Sequence, residues 1–360
     1  MHLAHVTERD RSIADASKRG VRRRRSRWGR VALATTLSAL SAGALAGQAA
    51  AQPANPPSAA NHYQFRTLDN RRDLTFNQLL GINKYGVIAG YFGSGAGATA
   101  TSPAHPNKGY VLFPRYRQWD YLNQNFPHSV QTQVTGLNDR GVTVGFWSDS
   151  VKGGGMDANF GWVAFNGHHF RNVNFTPMQG LGTPAINQLL GVNDRDIAVG
   201  FATDADGNNH GYTYNIRTNE FNEITIPGSS SVTAAAINRW GDVAGSYANP
   251  ADKMTDGFVL ADGNLTTLAV PGATMTQALG INDSDEVVGV YQDGVDANNN
   301  PILHGFTWTP LHGFKTVDDP NGIGTTTING VNDEGQLVGF YVDGNGNTDG
   351  MLATPHHHRF

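Results

Sequence analysis

One short segment recurs six times along this chain, and that recurrence restricts the fold more than any other feature. Gln78-Leu79-Leu80-Gly81-Ile82-Asn83, followed by Gly86, Gly90 and the pair Tyr91-Phe92, has counterparts centred on Asn138, Asn193, Asn238, Asn282 and Asn332. The spacings are 55, 55, 45, 44 and 50 residues, the period at which supersecondary units stack against one another to share a core. Six such units account for the stretch from His62 to Phe360 and leave little for a second domain.

Each unit reads as four short strands. The first, as in Thr276 to Ile281, is apolar and ends at the Asn; the next four residues, Asn-Asp-x-Gly/Asp, have the chemistry of a tight hairpin, since Asx side chains bond local amides and Gly or Asp tolerates a left-handed backbone. The second strand, as in Glu286 to Tyr291, carries a Gly in all six copies: Gly90, Gly145, Gly200, Gly245, Gly289 and Gly339. Gly costs stability in a strand, so its recurrence predicts close approach by a neighbouring backbone or ring. A third strand is marked by Gly and a large apolar residue, from Gly109-Tyr110 to Gly350-Met351. The fourth pairs an aromatic or Leu with an aliphatic three residues on: Trp119 with Leu122, Phe170 with Val173, Phe221 with Ile224, Leu265 with Leu268, and Phe314 with Val317.

The last unit lacks its fourth strand at the C-terminal end, whereas Phe65-Arg66-Thr67-Leu68, ahead of the first unit, matches Phe314-Lys315-Thr316-Val317. A ring in which the N-terminal strand completes the final unit explains both facts and leaves few open edges. The predicted fold is therefore all-β: a six-bladed β-propeller with four-stranded blades, closed by the N-terminal strand.

Ahead of the repeats, a basic stretch from Arg22 to Arg30, an apolar run from Val31 to about Gly47 and the small residues Ala49-Ala50-Ala51 predict a signal peptide over residues 1–51 and hence secretion or export to the periplasm. Residues 52–61, rich in Ala, Pro, Asn and Ser, read as a flexible leader. Residues 1–51 carry 10 basic and 3 acidic side chains, leaving 16 basic and 27 acidic for the remainder, a net of −11. Such a surface repels phosphate backbones and anionic lipid, so neither nucleic acid nor membrane insertion after signal removal is expected. The chain has no Cys, which excludes disulfides, thiol catalysis and Cys-ligated zinc.

The pattern Gly-Ile-Asn-Asp-x-Gly, Val-Val-Gly-x-Tyr and His-Gly-Phe, seen at Gly280 to Tyr291 and His304 to Phe306, resembles the HAF family of probable extracellular repeat proteins over nearly the whole mature chain. The resemblance implies secretion and a propeller-like fold, and brings no activity, cofactor or catalytic residue. Only His210 and His304 keep the His of that pattern.

No strong catalytic motif is present: neither H-E-x-x-H nor G-x-S-x-G, a P-loop or a dinucleotide fingerprint. Gln78, Gln133, Gln188 and Gln277 share one position in their first strands, with Thr233 and Thr327 in the other two units. Such amides suit a ligand-binding ring near a channel mouth, or a structural job where one unit hands over to the next. Asp204, Asp206 and Asn208 supply hard oxygens suited to calcium, and equally suit a plain hydrophilic turn. The connections between second and third strands and between successive units are the longest and most divergent: Gly93 to Lys108, Ser148 to Asn159, Asn174 to Pro184 and Gln292 to Leu303. They share one face, the expected ligand face. The expected function is a secreted, monomeric, non-catalytic binding or scaffold protein for an extracellular or cell-envelope polysaccharide or protein. The alternative is a secreted propeller hydrolase or lyase acting on carbohydrate or phosphoester, with calcium as its candidate cofactor. A cluster of carboxyls with shifted protonation on the loop-rich face, drawn from several units, would favour that alternative.

Overall fold

The computed structural model describes residues 56–99, 102–115, 118–149, 158–175 and 181–356. The signal-peptide segment lies outside the described residues. The described chain is all-β apart from one short 3-10 turn, Ala60–His62. Each repeat folds as an antiparallel meander, for example Asn77–Ile82, Ile88–Phe92, Lys108–Arg115 and Gln118–Asn123 in the first. The short Asn-initiated turn and the absence of any long apolar helix pattern leave the backbone only its strand neighbours as hydrogen-bond partners.

Four repeats form separate four-stranded sheets, where six were expected. The fourth and fifth repeats share one eight-stranded sheet, joined only by the parallel pair Thr255 and Met275. A single parallel pair of the same kind links other successive repeats at Asn159 and Ile186, Leu303 and Thr325, and Phe76 and Thr348.

The core lies between sheets. Six apolar clusters each span one junction of consecutive repeats: Ala89 and Val111 meet Val134 and Trp162, and Val163 and Val173 meet Leu189 and Tyr212. The sixth cluster joins the two ends of the series, placing Leu68, Val338 and Leu352 against Leu79, Ile88 and Tyr110. The sheets thus circle an axis in a β-propeller arrangement. The N-terminal strand Tyr63–Thr67 pairs antiparallel with Thr348–Pro355, Phe65 opposite Ala353, and supplies the fourth strand of the last sheet.

The expected reason for the second-strand glycines holds. A Cβ on Gly145 would lie 2.0 Å from the Gln133 carbonyl oxygen and 2.7 Å from the Trp162 ring; on Gly289 it would lie 1.9 Å from the Gln277 oxygen and 2.8 Å from Phe306. Every first strand carries a register shift at this level, such as that between Leu79 and Gly81, which turns the carbonyl toward the glycine.

Three expectations need correction. Residues 56–61, read as part of a flexible leader, are docked: Thr316 N–H donates to the Pro57 oxygen (3.1 Å), Ala59 N–H donates back to Thr316 (2.8 Å), and Ala59 is buried. Tertiary pairing overrides the linker-like composition. The connection from Gln292 to Leu303 is largely a continued hairpin, since strands run over Val287–Val295 and Pro301–Thr309. In the first repeat the fourth-strand aliphatic is not Leu122, which is exposed. Gln124 occupies that place, buried, its N–H on the Gly109 carbonyl as Val173 N–H is on Gly161, and its side chain donates to Thr143 Oγ1 (2.6 Å).

Candidate functional site

The recurrent Asn does two jobs. Its Oδ1 accepts the N–H groups two and four residues on, as Asn138 does from Arg140 and Val142 (3.0 Å each), and so builds its own turn. Its Nδ2 donates to the backbone oxygen of the Asn in the next repeat. Asn83 reaches Asn138 (3.3 Å), Asn138 reaches Asn193 (3.0 Å), Asn193 reaches Asn238 (2.9 Å) and Asn238 reaches Asn282 (3.4 Å). Asn282 then reaches Asn332 (3.1 Å), and Asn332 returns to Asn83 (3.1 Å). Six side chains close a ring around the axis.

Two residues before each Asn the inner strands come together. A Cβ on Gly136 would lie 3.0 Å from the Gly191 Cα, and one on Gly330 would lie 3.2 Å from the Gly81 Cα. Gly in five repeats and Ala236 in the fourth therefore let the inner strands narrow the channel.

On the axis lies a cavity of about 90 Å³ lined in three tiers by the aliphatic residue before each Asn, the Asn itself and the residue after it, the last being Lys84, Asp139, Asp194, Arg239, Asp283 and Asp333. The order repeats after three units, cation then two carboxylates. Lys84 N–H donates to Asp139 Oδ1 (3.1 Å) and Asp139 N–H to Asp194 Oδ1 (2.9 Å); Arg239 N–H donates to Asp283 Oδ1 (2.8 Å) and Asp283 N–H to Asp333 Oδ1 (2.9 Å). Lys84 Nζ lies 2.8 Å from Asp139 and Arg239 Nε 3.3 Å from Asp283. Burial raises the Asp194 carboxyl, and its side-chain contact with Asp139 adds to that; burial and then the neighbouring Asp333 charge raise Asp283.

On the rim of this cup, immediately after the two cations, stand Tyr85 and Trp240, both exposed and three repeats apart in a ring of six. The Trp240 indole N–H donates to the Asp283 backbone oxygen (3.0 Å), and the Arg239 guanidinium lies 4.5 Å from its ring centroid. Lys84 Nζ lies 5.0 Å from the Tyr85 ring. These cation–π contacts and the indole bond fix the aromatics in place.

This cup is at the opposite end of the axis from the divergent loops, because Ile82 pairs with Ile88 at the Asn-turn end while Asn77 pairs with Phe92 at the loop end. Sequence reasoning recognised the Asn turns but not the cup, whose signal was the residue after each Asn: Lys, Asp, Asp, Arg, Asp, Asp.

At the loop end lie Gln78, Gln133, Gln188 and Gln277, all buried. Gln78 Oε1 accepts the Tyr91 hydroxyl (2.7 Å), whereas Gln133 Nε2 donates to Asn107 (3.0 Å) and Gln188 Nε2 to Asn159 (2.6 Å), each Asn belonging to the preceding repeat. Two of the four thus stitch one repeat to the next. Asp204 serves its own turn: Oδ1 accepts the Asp206 and Asn208 N–H groups (2.9 and 2.8 Å), and Oδ2 faces Asn208 Nδ2 and His210 Nε2 (3.2 and 3.1 Å). These bonds hold its carboxyl below the usual range against the effect of burial. Among the described residues no group of three or more His, Asp or Glu is placed to hold a metal ion. His210 also meets Glu223 (2.8 Å), and His304 meets Asp318 (2.7 Å), so the two histidines sit on separate partners.

The chain matches no family model, and no curated protein matches it. Among solved structures it is similar to a mutant of AofleA from Arthrobotrys oligospora (TM-score 0.47, 10% identity, 82% of this chain and 90% of that one). It is also similar to the β-propeller domain of the Trilobed protease from Pyrococcus furiosus (TM-score 0.41, 8%, 78% and 94%). A polysaccharide lyase, an ulvan lyase solved with bound saccharide, shows a likeness of TM-score 0.40 at 14% identity, covering 81% of each chain.

Proposed function

We propose that this chain is an exported, non-catalytic propeller of six blades that recognises a polysaccharide across the axial cup. In this reading the eight-stranded sheet counts as two blades, since its halves meet in one residue pair of the kind that links other repeats. The observation that carries the proposal is the pair Tyr85 and Trp240, held exposed on opposite sides of a ring of carboxylates and cations. A fixed, exposed aromatic ring offers a flat apolar face with a polar edge, and the apolar face of a sugar ring can stack on it. Carboxylates and a guanidinium alongside accept and donate to hydroxyl groups in charge-assisted bonds. The cup itself has room for only a few waters, so a saccharide lies over it and inserts a substituent.

Purified protein on a glycan array is expected to bind a restricted set of polysaccharides, with Trp240→Ala and Tyr85→Ala each weakening that binding about tenfold while melting unchanged. Failure to bind any glycan, or binding indifferent to both substitutions, sinks the reading.

A further inference from the structure

The six Asn turns differ in charge according to where they stand between the two exposed aromatics. The Asn ring runs from the first repeat to the sixth and back to the first, so Tyr85 in the first and Trp240 in the fourth divide it into two arcs. One arc holds the turns of the second and third repeats, where Asp139, Asp194 and Asp196 stand beside Arg140 and Arg195. The other holds the turns of the fifth and sixth, Asn282 to Glu286 and Asn332 to Gln336, which carry Asp283, Asp285, Glu286, Asp333 and Glu334 and no basic side chain. The Asn builds its turn the same way on both arcs, so turn geometry does not demand carboxylates at Asp333 and Glu334.

Neutralisation follows the same division. On the first arc Lys84 Nζ reaches Asp139 (2.8 Å), and Asp196 takes both Arg140 and Arg217, the latter at 2.7 Å. On the second arc Asp283 pairs with Arg239 (3.3 Å), whereas Asp285, Asp333 and Glu334 are exposed and form no ion pair among the described residues. Asp333 also lines the axial cavity, its Oδ1 accepting the Asp283 N–H (2.9 Å). Trp240 leans onto this arc, since its indole N–H donates to the Asp283 backbone oxygen (3.0 Å). An aromatic platform thus stands directly beside a row of solvent-facing carboxylates that the protein itself leaves without counter-charge.

We propose that the polysaccharide recognised by the cup carries free amino groups, with a sugar ring stacked on Trp240 and its ammonium groups set against Asp333, Glu334 and Asp285. This rests on the saccharide reading of the cup and adds to it the charge of the ligand. Exposed carboxylates of one sign attract a cationic chain and repel uronate or sulfate, and an ammonium both matches their charge and donates to them in charge-assisted bonds. Acetylation of the amine removes the charge, and with it the preference. A bare metal ion gains nothing from the exposed rings, and among the described residues no group of three or more His, Asp or Glu is placed to hold one.

The test titrates the whole protein by calorimetry with a glucosamine oligomer, its fully N-acetylated counterpart, a neutral glucose oligomer and an oligogalacturonate, all of equal length. The glucosamine oligomer is expected to bind about tenfold more tightly than the acetylated and neutral ones, with the margin shrinking as salt rises, and the oligogalacturonate not to bind. Asp333→Asn and Glu334→Gln should each weaken glucosamine binding about fivefold without changing the melting temperature, and Asp333→Glu should retain it. Asp262→Asn, in an exposed turn at the same end but outside the arc, should leave it unchanged. If a neutral or acetylated oligomer binds as well as the amino form and is weakened by Trp240→Ala but not by Asp333→Asn, the cup reading stands and this inference falls. Equal losses in Asp262→Asn and Asp333→Asn mark unspecific attraction and overturn it too. So does a calcium-dependent rise in melting temperature that Asp333→Asn abolishes, which makes the arc a cation site. Binding of a Lys-rich peptide with no saccharide binding assigns the arc to a protein partner and sinks both readings together.

Discussion

At the scale of single residues the repeat made some positions legible and hid others. A glycine found six times in a strand announces a steric demand, and the structure supplies the atoms that make it: a carbonyl from the first strand and, in several repeats, a ring from the third. Gly145→Ala would set a methyl 2.0 Å from the Gln133 oxygen. With rigid backbone on one side and a buried Trp on the other, the expected cost is about 2–4 kcal/mol in urea unfolding. Gly344→Ala, where nothing lies within 4 Å, should change stability by less than about 0.5 kcal/mol. Similar losses at both positions would refute the steric account. The Asn was only half legible: its turn follows from local chemistry, but its bond to the next repeat depends on which strands face the axis. Gln124 was missed for a different reason. Hydrophobicity alone selects Leu122 as the buried residue, whereas Thr143 gives the Gln124 amide nitrogen a buried partner, its Oε1 having none among the described residues.

Among elements, the N-terminal strand was read from matching halves of one unit at the two ends of the chain, and its pairing follows the reading. Leu68 N–H donates to the Gly350 oxygen (2.8 Å) as Val317 N–H does to Gly305 (2.8 Å), so one strand is the structural equal of the other. What composition concealed is that residues 56–61 continue this lock onto the fifth repeat through Thr316. Removing residues 56–68 would bare the edge of Thr348–Pro355 and open the cluster containing Val317, Ile328 and Met351. The melting temperature should fall by more than about 10 °C, in line with a loss of several kcal/mol. A synthetic peptide of residues 56–69 added in excess should recover part of the difference by mass action. A truncated protein that melts like the parent, or ignores the peptide, would show that closure contributes little.

For the whole molecule the circular order of six interfaces was legible, but the distribution of charge around it was not, because sequence spacing does not say which carboxylates face one another. The structure gathers several under conditions that disfavour ionisation. Burial, then the charges of Asp69 and Asp343, push the Asp349 carboxyl up to about 6, and burial also raises Asp69, Asp319, Asp194 and Asp283. A carboxyl whose folded value exceeds its unfolded value binds more protons in the folded state, so its contribution is complete below about pH 4 and is lost as pH rises through the raised value. His304, raised by Asp318, works in the same direction: its stabilising charge is lost as pH climbs through its elevated value. The opposing groups act lower on the scale. Asp196, where Arg140 and Arg217 outweigh burial, and Asp343, where turn N–H groups do so, lose their contribution only as pH falls through their lowered values. Between pH 5 and 7.5 the raised groups therefore decide the sign, and the melting temperature should decline across that interval. Asp349→Asn removes the largest of these changes without removing the side chain's volume, so its melting curve should be flatter from pH 5 to 7.5 and lie a few degrees above the parent at the alkaline end, about the shift that 1 kcal/mol produces. A parent protein that instead gains stability toward pH 7.5 would mean that the sixth-repeat carboxylates are already neutralised by a bound cation, which removing added salt and chelating divalent ions would then reverse.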